Sequence, residues 1–313
     1  MLYVRRWGIL LMVPALAYVL AATGCGSDKG KDVPRTGTGG SRPSAVSTAR
    51  DSDSGSSNVE ATALEAKGEA TVKGKVTYDG TPPAPDDLTK QMELQGKDKA
   101  HCLKGPTKDP LWLVGADKGV ENVVVWLKAP AGKYFKIPAD QRSHGGVVTI
   151  DQPFCMFQPH VAAINPSVWD PEAKKQVKTG QTFKVLNSAP ITHNTAYKGS
   201  PLLNPGTNQN LPSRGEMPIT AKPCKDGDFG KEELLNVNCD IHKWMTAKVA
   251  VFDHPYYAVT DKDGNYEIKN APAGAELTIH VWHESMNPTS LKNVQSKPVT
   301  LKDGTNTEDF KIK

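Results

Sequence analysis

The sequence is dominated by short runs of Val, Ile, Thr and aromatic residues that end at Gly, Pro, Asn or Asp. Residues 71–78 (TVKGKVTY) alternate with the period of a strand, and residues 122–127 (NVVVWL) are nearly all apolar, which is typical of a central strand. Helical patterns are limited to 85–95 and 231–235. The spacing of these runs predicts an all-β sandwich. Further strands are predicted at 146–150, 161–164, 182–186, 235–237, 247–252, 258–260, 266–268 and 277–282.

The first 25 residues have the layout of an export signal. Arg5 and Arg6 precede an apolar run, 8–22, that is too short to span a bilayer comfortably, and small residues lead directly to Cys25. This arrangement resembles the bacterial lipobox, in which the Cys thiol is acylated and becomes the new N-terminus. We therefore expect lipidation of Cys25 and a location in the cell envelope, facing the periplasm or the exterior. The alternative is an ordinary signal peptide in which Cys25 has no role.

Residues 26–68 are rich in Ser, Gly, Thr and Asp and poor in aromatic residues, which predicts a disordered tether. The remaining ~245 residues suffice for one large or two small domains. The net charge is only +4, and the sequence has no block of basic residues with interleaved aromatics. We therefore expect no binding to nucleic acid.

The strongest chemical signal is the segment 239–245 (CDIHKWM), which spaces a Cys, a His and a Met three residues apart. A thiolate, imidazoles and a weak thioether form the ligand set of a trigonal copper site with a distant axial Met. That set requires a second His, and His193, which follows a predicted strand, is the candidate. Zinc is an alternative, although the thioether favours copper.

Together with residues 187–194 (NSAPITHN), this segment resembles the cupredoxin, or blue copper, family. The family has an Asn-x₅-His-Asn loop and a Cys-x₂-His-x₂-Met loop, and the short second loop is most similar to that of the amicyanin type. The resemblance implies a Greek-key β-sandwich that holds one type 1 copper. It also implies that the copper ligands are the Cys239 thiolate, the His193 and His242 imidazoles and the axial Met245. Asn194 would form a hydrogen bond to the loop that carries Cys239.

The resemblance also implies electron transfer with a redox partner such as a cytochrome c. In the family, the residue equivalent to His242 is the ligand near solvent, and an apolar patch around it receives the partner. The sequence has no nucleophile elbow and no phosphate-binding Gly loop, so we expect neither catalysis nor a small-molecule substrate. The alternatives are copper binding and delivery at the envelope, or a carbohydrate- or protein-binding module whose copper site is empty.

Residues 259–281 (VTDKDGNYEIKNAPAGAELTIHV) resemble the carboxypeptidase regulatory-like family of small β-sandwiches, and residues 74–80 resemble its first strand. The resemblance implies a second small sandwich that adjoins or merges with the copper domain. The expected domains are a copper domain over 69–252 and the small sandwich over 253–313, to which the strand 71–80 is a possible addition.

Three further cysteines remain, and two of them can pair in an oxidising compartment. We expect Cys102 to pair with Cys155, although the sequence does not decide between these and Cys224. A second metal site formed by Cys155 and His160 is the less favoured alternative. For the pair His283–Glu284, hydrogen bonds to a neighbouring loop are favoured over metal binding or acid–base chemistry.

Overall fold

The computed structural model describes residues 61–313, so that Cys25, the predicted signal and residues 26–60 of the predicted tether lie outside it. None of the helices in the described range has the length and apolar character needed to cross a membrane. Strands dominate the regular structure. The first part of the chain contains β1 (Thr62–Ala63), β2 (Gly68–Tyr78), α1 (Thr89–Glu93), α2 (Lys99–Cys102), β3 (Val124–Lys128), β4 (Lys133–Tyr134), β5 (Val147–Phe154), β6 (Met156–Gln158), β7 (Val161–Ile164), β8 (Ser167–Asp170) and β9 (Lys175–Lys178).

The second part of the described chain is built from strands. It contains β10 (Thr182–Leu186), β11 (His193–Lys198), β12 (Thr207–Leu211), β13 (Glu216–Ile219), β14 (Glu232–Asn238), β15 (Thr246–Phe252), β16 (Tyr257–Val259), β17 (Asn265–Ala273), β18 (Glu276–Trp282), β19 (Gln295–Thr300), β20 (Gly304–Thr307) and β21 (Phe310–Ile312). Short 3₁₀ turns lie at Gly96–Asp98 and Ala139–Gln141.

Four sheets form two sandwiches. The inserted sandwich consists of the sheets β13-β10-β5-β6 and β12-β11-β14-β15-β7. The outer sandwich consists of the sheets β16-β3-β18-β19 and β17-β2-β20, with β21 also paired to β2. The prediction of an all-β sandwich is confirmed. Two-stranded pairs, β1-β4 and β8-β9, complete the fold.

Alternating side chains place apolar cores on both faces of the middle sheets. In β3, Val125 and Leu127 lie in the core of the outer sandwich, whereas Val124 and Trp126 face the inserted sandwich. Successive strand residues point to opposite faces, so a strand between two cores must be apolar throughout. The ring centroids of Trp126 and Phe252 lie 5.7 Å apart where the two sandwiches meet. This packing explains the unbroken apolar run at 123–127.

The same reasoning explains a wrong prediction. Residues 231–235 were expected as a possible helix, but they enter β14, because Leu234 packs in the core between the sandwiches and Leu235 in the core of the inserted sandwich. Neighbouring residues on opposite faces require an extended backbone. Each predicted strand overlaps a strand of the structure.

The strand pairing does not follow the expected domain boundaries. β3 belongs to the expected copper domain over 69–252, yet it pairs with β16 and β18 beyond that boundary. β2 likewise pairs with β17, β20 and β21. All strands of the inserted sandwich lie between β3 and β16 in the chain, so the outer sandwich is assembled from segments on either side of it.

The expected end of the tether at residue 68 is also too late. β1 pairs with β4, and Leu64 packs into the core of the outer sandwich. Burial of Leu64 anchors the chain there, so residues 62–64 belong to the fold.

A helical segment closes one end of the inserted sandwich. We call residues 88–105, which include α1 and α2, the cap. Leu88, Met92 and Cys102 are buried in the core of the inserted sandwich. The stretch predicted as helical, 85–95, thus contains α1. Its buried apolar residues pack into a sandwich whose first strand, β5, begins much later in the chain.

Candidate metal centre

The loop between β14 and β15 forms a closed backbone turn around residues 239–245. The N–H of Cys239 donates to the carbonyl of Met245 over 3.2 Å, and the N–H of Met245 donates to the carbonyl of His242 over 2.9 Å. The side chains of all three residues are buried. The spacing of Cys, His and Met in the sequence therefore produces three potential metal ligands on the inner side of one tight loop.

Two backbone N–H groups donate hydrogen bonds to the Cys239 sulfur and would stabilise its thiolate form. Its Sγ accepts hydrogen bonds from the N–H of Asn194 over 3.3 Å and from the N–H of His242 over 3.4 Å. Burial raises the pKa of the thiol, and these hydrogen bonds oppose the rise. A bound cation would supply the remaining stabilisation of the thiolate, as metal ions do for coordinating thiols.

His193 begins β11 and offers one free ring nitrogen. Its Nδ1 lies 3.0 Å from Oδ1 of Asn187, whose own amide nitrogen donates to the carbonyls of Ile191 and Leu211, each over 2.8 Å. The amide of Asn187 is oriented by these bonds, so Nδ1 of His193 is the protonated nitrogen and Nε2 carries the lone pair.

The Nε2 atom of His193 is buried and has no hydrogen-bond partner in the described structure. Burial, together with the neighbouring His242, lowers the pKa of His193 to about 3. The imidazole is therefore neutral at physiological pH, and no proton competes for its lone pair. A buried polar atom without a partner is costly, and a metal ion would satisfy it.

His242 directs one ring nitrogen, Nδ1, towards the thiol of Cys239. Its Nδ1 lies 4.0 Å from Sγ of Cys239, and its ring centroid lies 5.0 Å from that of His193. Nitrogen and sulfur ligands that share one ion at about 2.0 and 2.3 Å are roughly 3.5–3.7 Å apart, so this nitrogen and this sulfur need to approach each other by a few tenths of an ångström to share an ion. Its Nε2 faces Oδ2 of Asp98 over 3.4 Å, an outer partner of the kind that fixes metal-binding imidazoles.

Asn194 links the two loops that carry the candidate ligands. Its Oδ1 accepts a hydrogen bond from the N–H of Asp240 over 3.0 Å, and its amide nitrogen donates to Asn208 over 2.6 Å. Met245 is fully buried in the same apolar cluster as Cys239. The side chains that the sequence singled out are thus all buried in one region, and their donor set fits copper. The ligand atoms of His193, Cys239 and His242 do not all lie within 4.8 Å of one another in the described structure, so these side chains must move closer together to share one ion.

The exposure of His242 differs from the expectation. The resemblance implied a ligand near solvent, but His242 is 0 % exposed. Asp98 of the cap and the sulfur of Cys155, 3.9 Å from Nε2, cover the edge of the ring that was expected to face a partner. The apolar patch expected around His242 consists of Pro190, Ile191, Trp244 and Met245, and only half of it is covered. Trp244 and Met245 are buried, and Nε1 of Trp244 donates to the carbonyl of Cys155 over 2.8 Å, whereas Pro190 is exposed and Ile191 is half-buried.

The structure joins Cys102 to Cys155 in a disulfide, the pairing expected from the sequence, and leaves Cys224 and Cys239 as free thiols. The alternative site formed by Cys155 and His160 is not formed. Both ring nitrogens of His160 are engaged elsewhere, with the carbonyl of Thr246 at 3.0 Å and with Glu284 at 2.7 Å. Glu284 thus makes the hydrogen bond that was favoured for it over acid–base chemistry.

Sequence reasoning missed the cap as part of the site. His101 stacks on Phe154 and its Nε2 lies 3.1 Å from the carbonyl of Pro153, which places it at the disulfide. The available signal was the spacing of Asp98, His101 and Cys102, because residues three and four positions apart share one face of a helix. Only the fold reveals that this face covers His242.

No protein-family model, no curated protein and no solved structure matches the chain. The resemblance to cupredoxins and to carboxypeptidase regulatory-like sandwiches remains a prediction from sequence motifs. The arguments for a function therefore come from the residues and their geometry.

Proposed function

We propose that the chain is an exported, lipid-anchored type 1 copper protein that transfers electrons through His193, Cys239, His242 and Met245. The observation that carries the proposal is the unpartnered, buried Nε2 of His193, in a ring 5.0 Å from the ring of His242. Copper bound there by a thiolate and two imidazoles would alternate between its two oxidation states in a rigid β frame.

Burial of the site favours electron transfer over copper delivery. All four proposed ligands are buried, and the cap closes the side on which His242 lies. A delivery protein must release its ion, whereas an electron carrier must retain it. Burial also argues against a surface-binding module with an empty site, because the convergent polar atoms are not available to an external partner.

The test is the spectrum of the copper-loaded mature protein. We expect a visible thiolate-to-copper(II) charge-transfer band and the EPR signal of a mononuclear type 1 site. Cys239→Ser should abolish the band. Cys224→Ser is the matched control, since Cys224 is the other buried free thiol of the described chain and should leave the band intact.

The same loaded protein distinguishes transfer from delivery. Reversible electrochemistry with slow loss of copper to a chelator is the expected result. A colourless protein that binds copper(II) stoichiometrically, or a band that survives Cys239→Ser, would contradict the type 1 assignment.

A further inference from the structure

A second group of metal-binding side chains lies behind His242. The ligand atoms of Cys102, Cys155 and His242 all lie within 4.8 Å of one another, and all three residues are buried. The two cysteines form a disulfide, and Sγ of Cys155 lies 3.9 Å from Nε2 of His242. Two sulfurs and an imidazole nitrogen are a ligand set for soft metal ions once the sulfurs are thiolates.

Contacts other than the disulfide hold this group together. Leu88 and Met92 pack the cap into the same core that contains Cys155. His101 bonds to the carbonyl of Pro153, and Trp244 bonds to the carbonyl of Cys155 over 2.8 Å. These contacts connect the cap, the β5–β6 turn and the His242 loop, so cleavage of the S–S bond leaves the three side chains close together.

We propose that reduction of the Cys102–Cys155 disulfide creates a second, soft-metal site that binds copper(I) through both sulfurs and Nε2 of His242. The reductant is a dithiol. It transfers two electrons and two protons to the disulfide and becomes a disulfide itself, and the S–S bond of the protein is replaced by two thiols. Each thiol releases its proton to water when its sulfur binds the ion.

His242 connects this site to the first one. Its Nδ1 faces Cys239, and its Nε2 faces both Cys155 and Oδ2 of Asp98. An ion bound at Nε2 therefore replaces the contact with Asp98. A neutral imidazole has one lone pair and therefore serves one ion at a time. The oxidation state of the disulfide accordingly decides which ion His242 holds, and dithiol reduction draws it away from the first site towards the cap.

The experiment isolates the second site by removing both free thiols of the described chain with Cys224→Ser and Cys239→Ser. This mature protein is reduced with a dithiol, freed of reductant without oxygen, and titrated with copper(I) against a chromogenic chelator. We expect one more bound copper(I) in the reduced than in the oxidised form. Adding Cys102→Ser and Cys155→Ser should remove it, and adding His242→Gln should weaken it by at least about tenfold, the loss that even outer partners of metal ligands cause.

Equal copper(I) binding by the oxidised and reduced forms would overturn the proposal, as would unchanged binding after both cap cysteines are replaced. Circular dichroism of the reduced protein is recorded in parallel, and loss of its folded signal also overturns the proposal, which requires the cap to stay in place. The background lacks Cys239, so this result is independent of whether the first site is type 1 copper.

Discussion

Replacing Glu284 with Gln should weaken the interface between the two sandwiches. Glu284 follows β18 of the outer sandwich, and its carboxylate binds two residues of the inserted sandwich region. Oε2 lies 2.7 Å from Nε2 of His160, and Oε1 lies 2.9 Å from Nζ of Lys248. Lys248 also donates to Asn236 and to the carbonyl of Pro288, over 2.7 and 2.9 Å. The Lys248 and Glu284 side chains are only 9 % and 14 % exposed, so water screens the pair little.

The pKa of Glu284 sets the size of the effect. Burial alone would raise it, but the hydrogen bond from His160 and the charge of Lys248 outweigh burial and lower it from 4.5 to about 2. At about 1.4 kcal/mol per pKa unit, the ionised form contributes about 3 kcal/mol to the free energy of unfolding. Because the pKa is lower in the folded state, this contribution is complete above pH 4.5 and disappears as the pH falls to about 2.

The assay is denaturant unfolding at pH 7 and pH 3. We expect Glu284→Gln to lose about 3 kcal/mol at pH 7 and to lose less stability than the wild type between the two pH values. Glu276→Gln, at an exposed position of β18, the strand that precedes Glu284, is the control and should stay within about 0.5 kcal/mol. A Glu284→Gln protein as stable as this control at pH 7, or with an unchanged dependence on pH, would refute the reasoning.

Two further substitutions test other parts of the chain. Burial raises the pKa of Asp253 from 3.8 to about 7, even though the N–H of Gly230 donates a hydrogen bond to its carboxylate. Because the folded protein favours the protonated carboxyl group, the stability that this group contributes is lost as the pH rises from about 4 to about 7. Asp253→Asn should therefore be more stable than the wild type at pH 8, by up to about 4 kcal/mol in denaturant unfolding, and a less stable variant would contradict this. Cys25→Ser should abolish incorporation of labelled fatty acid and release the protein from membranes; unchanged labelling would exclude Cys25 as the acylated residue.

Much of the fold was predictable because burial imposes local patterns. Residues 122–127 and 247–252 are apolar except for Asn122 and Lys248, and this pattern is visible in the sequence without knowledge of the fold. Both stretches form strands that pack between two cores. The polar strands were missed. β12 (TNQNL) and β20 (GTNT) lie at sheet edges with most side chains exposed, so they carry no alternating pattern.

The candidate site was predictable only in part. Asn187, His193 and the 239–245 loop lie close together in the fold, and their spacing along the chain was sufficient to select them. The burial of His242 was not predictable, because the cap that covers it comes from the connection between β2 and β3. The partner of His160 lies 124 positions away, a distance at which sequence spacing carries no information.

The nesting of one sandwich within the other also sets an order of assembly during synthesis. The inserted sandwich has all of its strands by Phe252, and it can close while the rest of the chain is still emerging. β2 cannot pair until β17, β20 and β21 have been synthesised, and β3 cannot pair until β16 and β18 have been synthesised. Pairing across such long stretches of chain is slow, and unpaired strand edges invite association with other chains. The nascent protein is thus most vulnerable to aggregation between completion of its inner sandwich and arrival of its last strand.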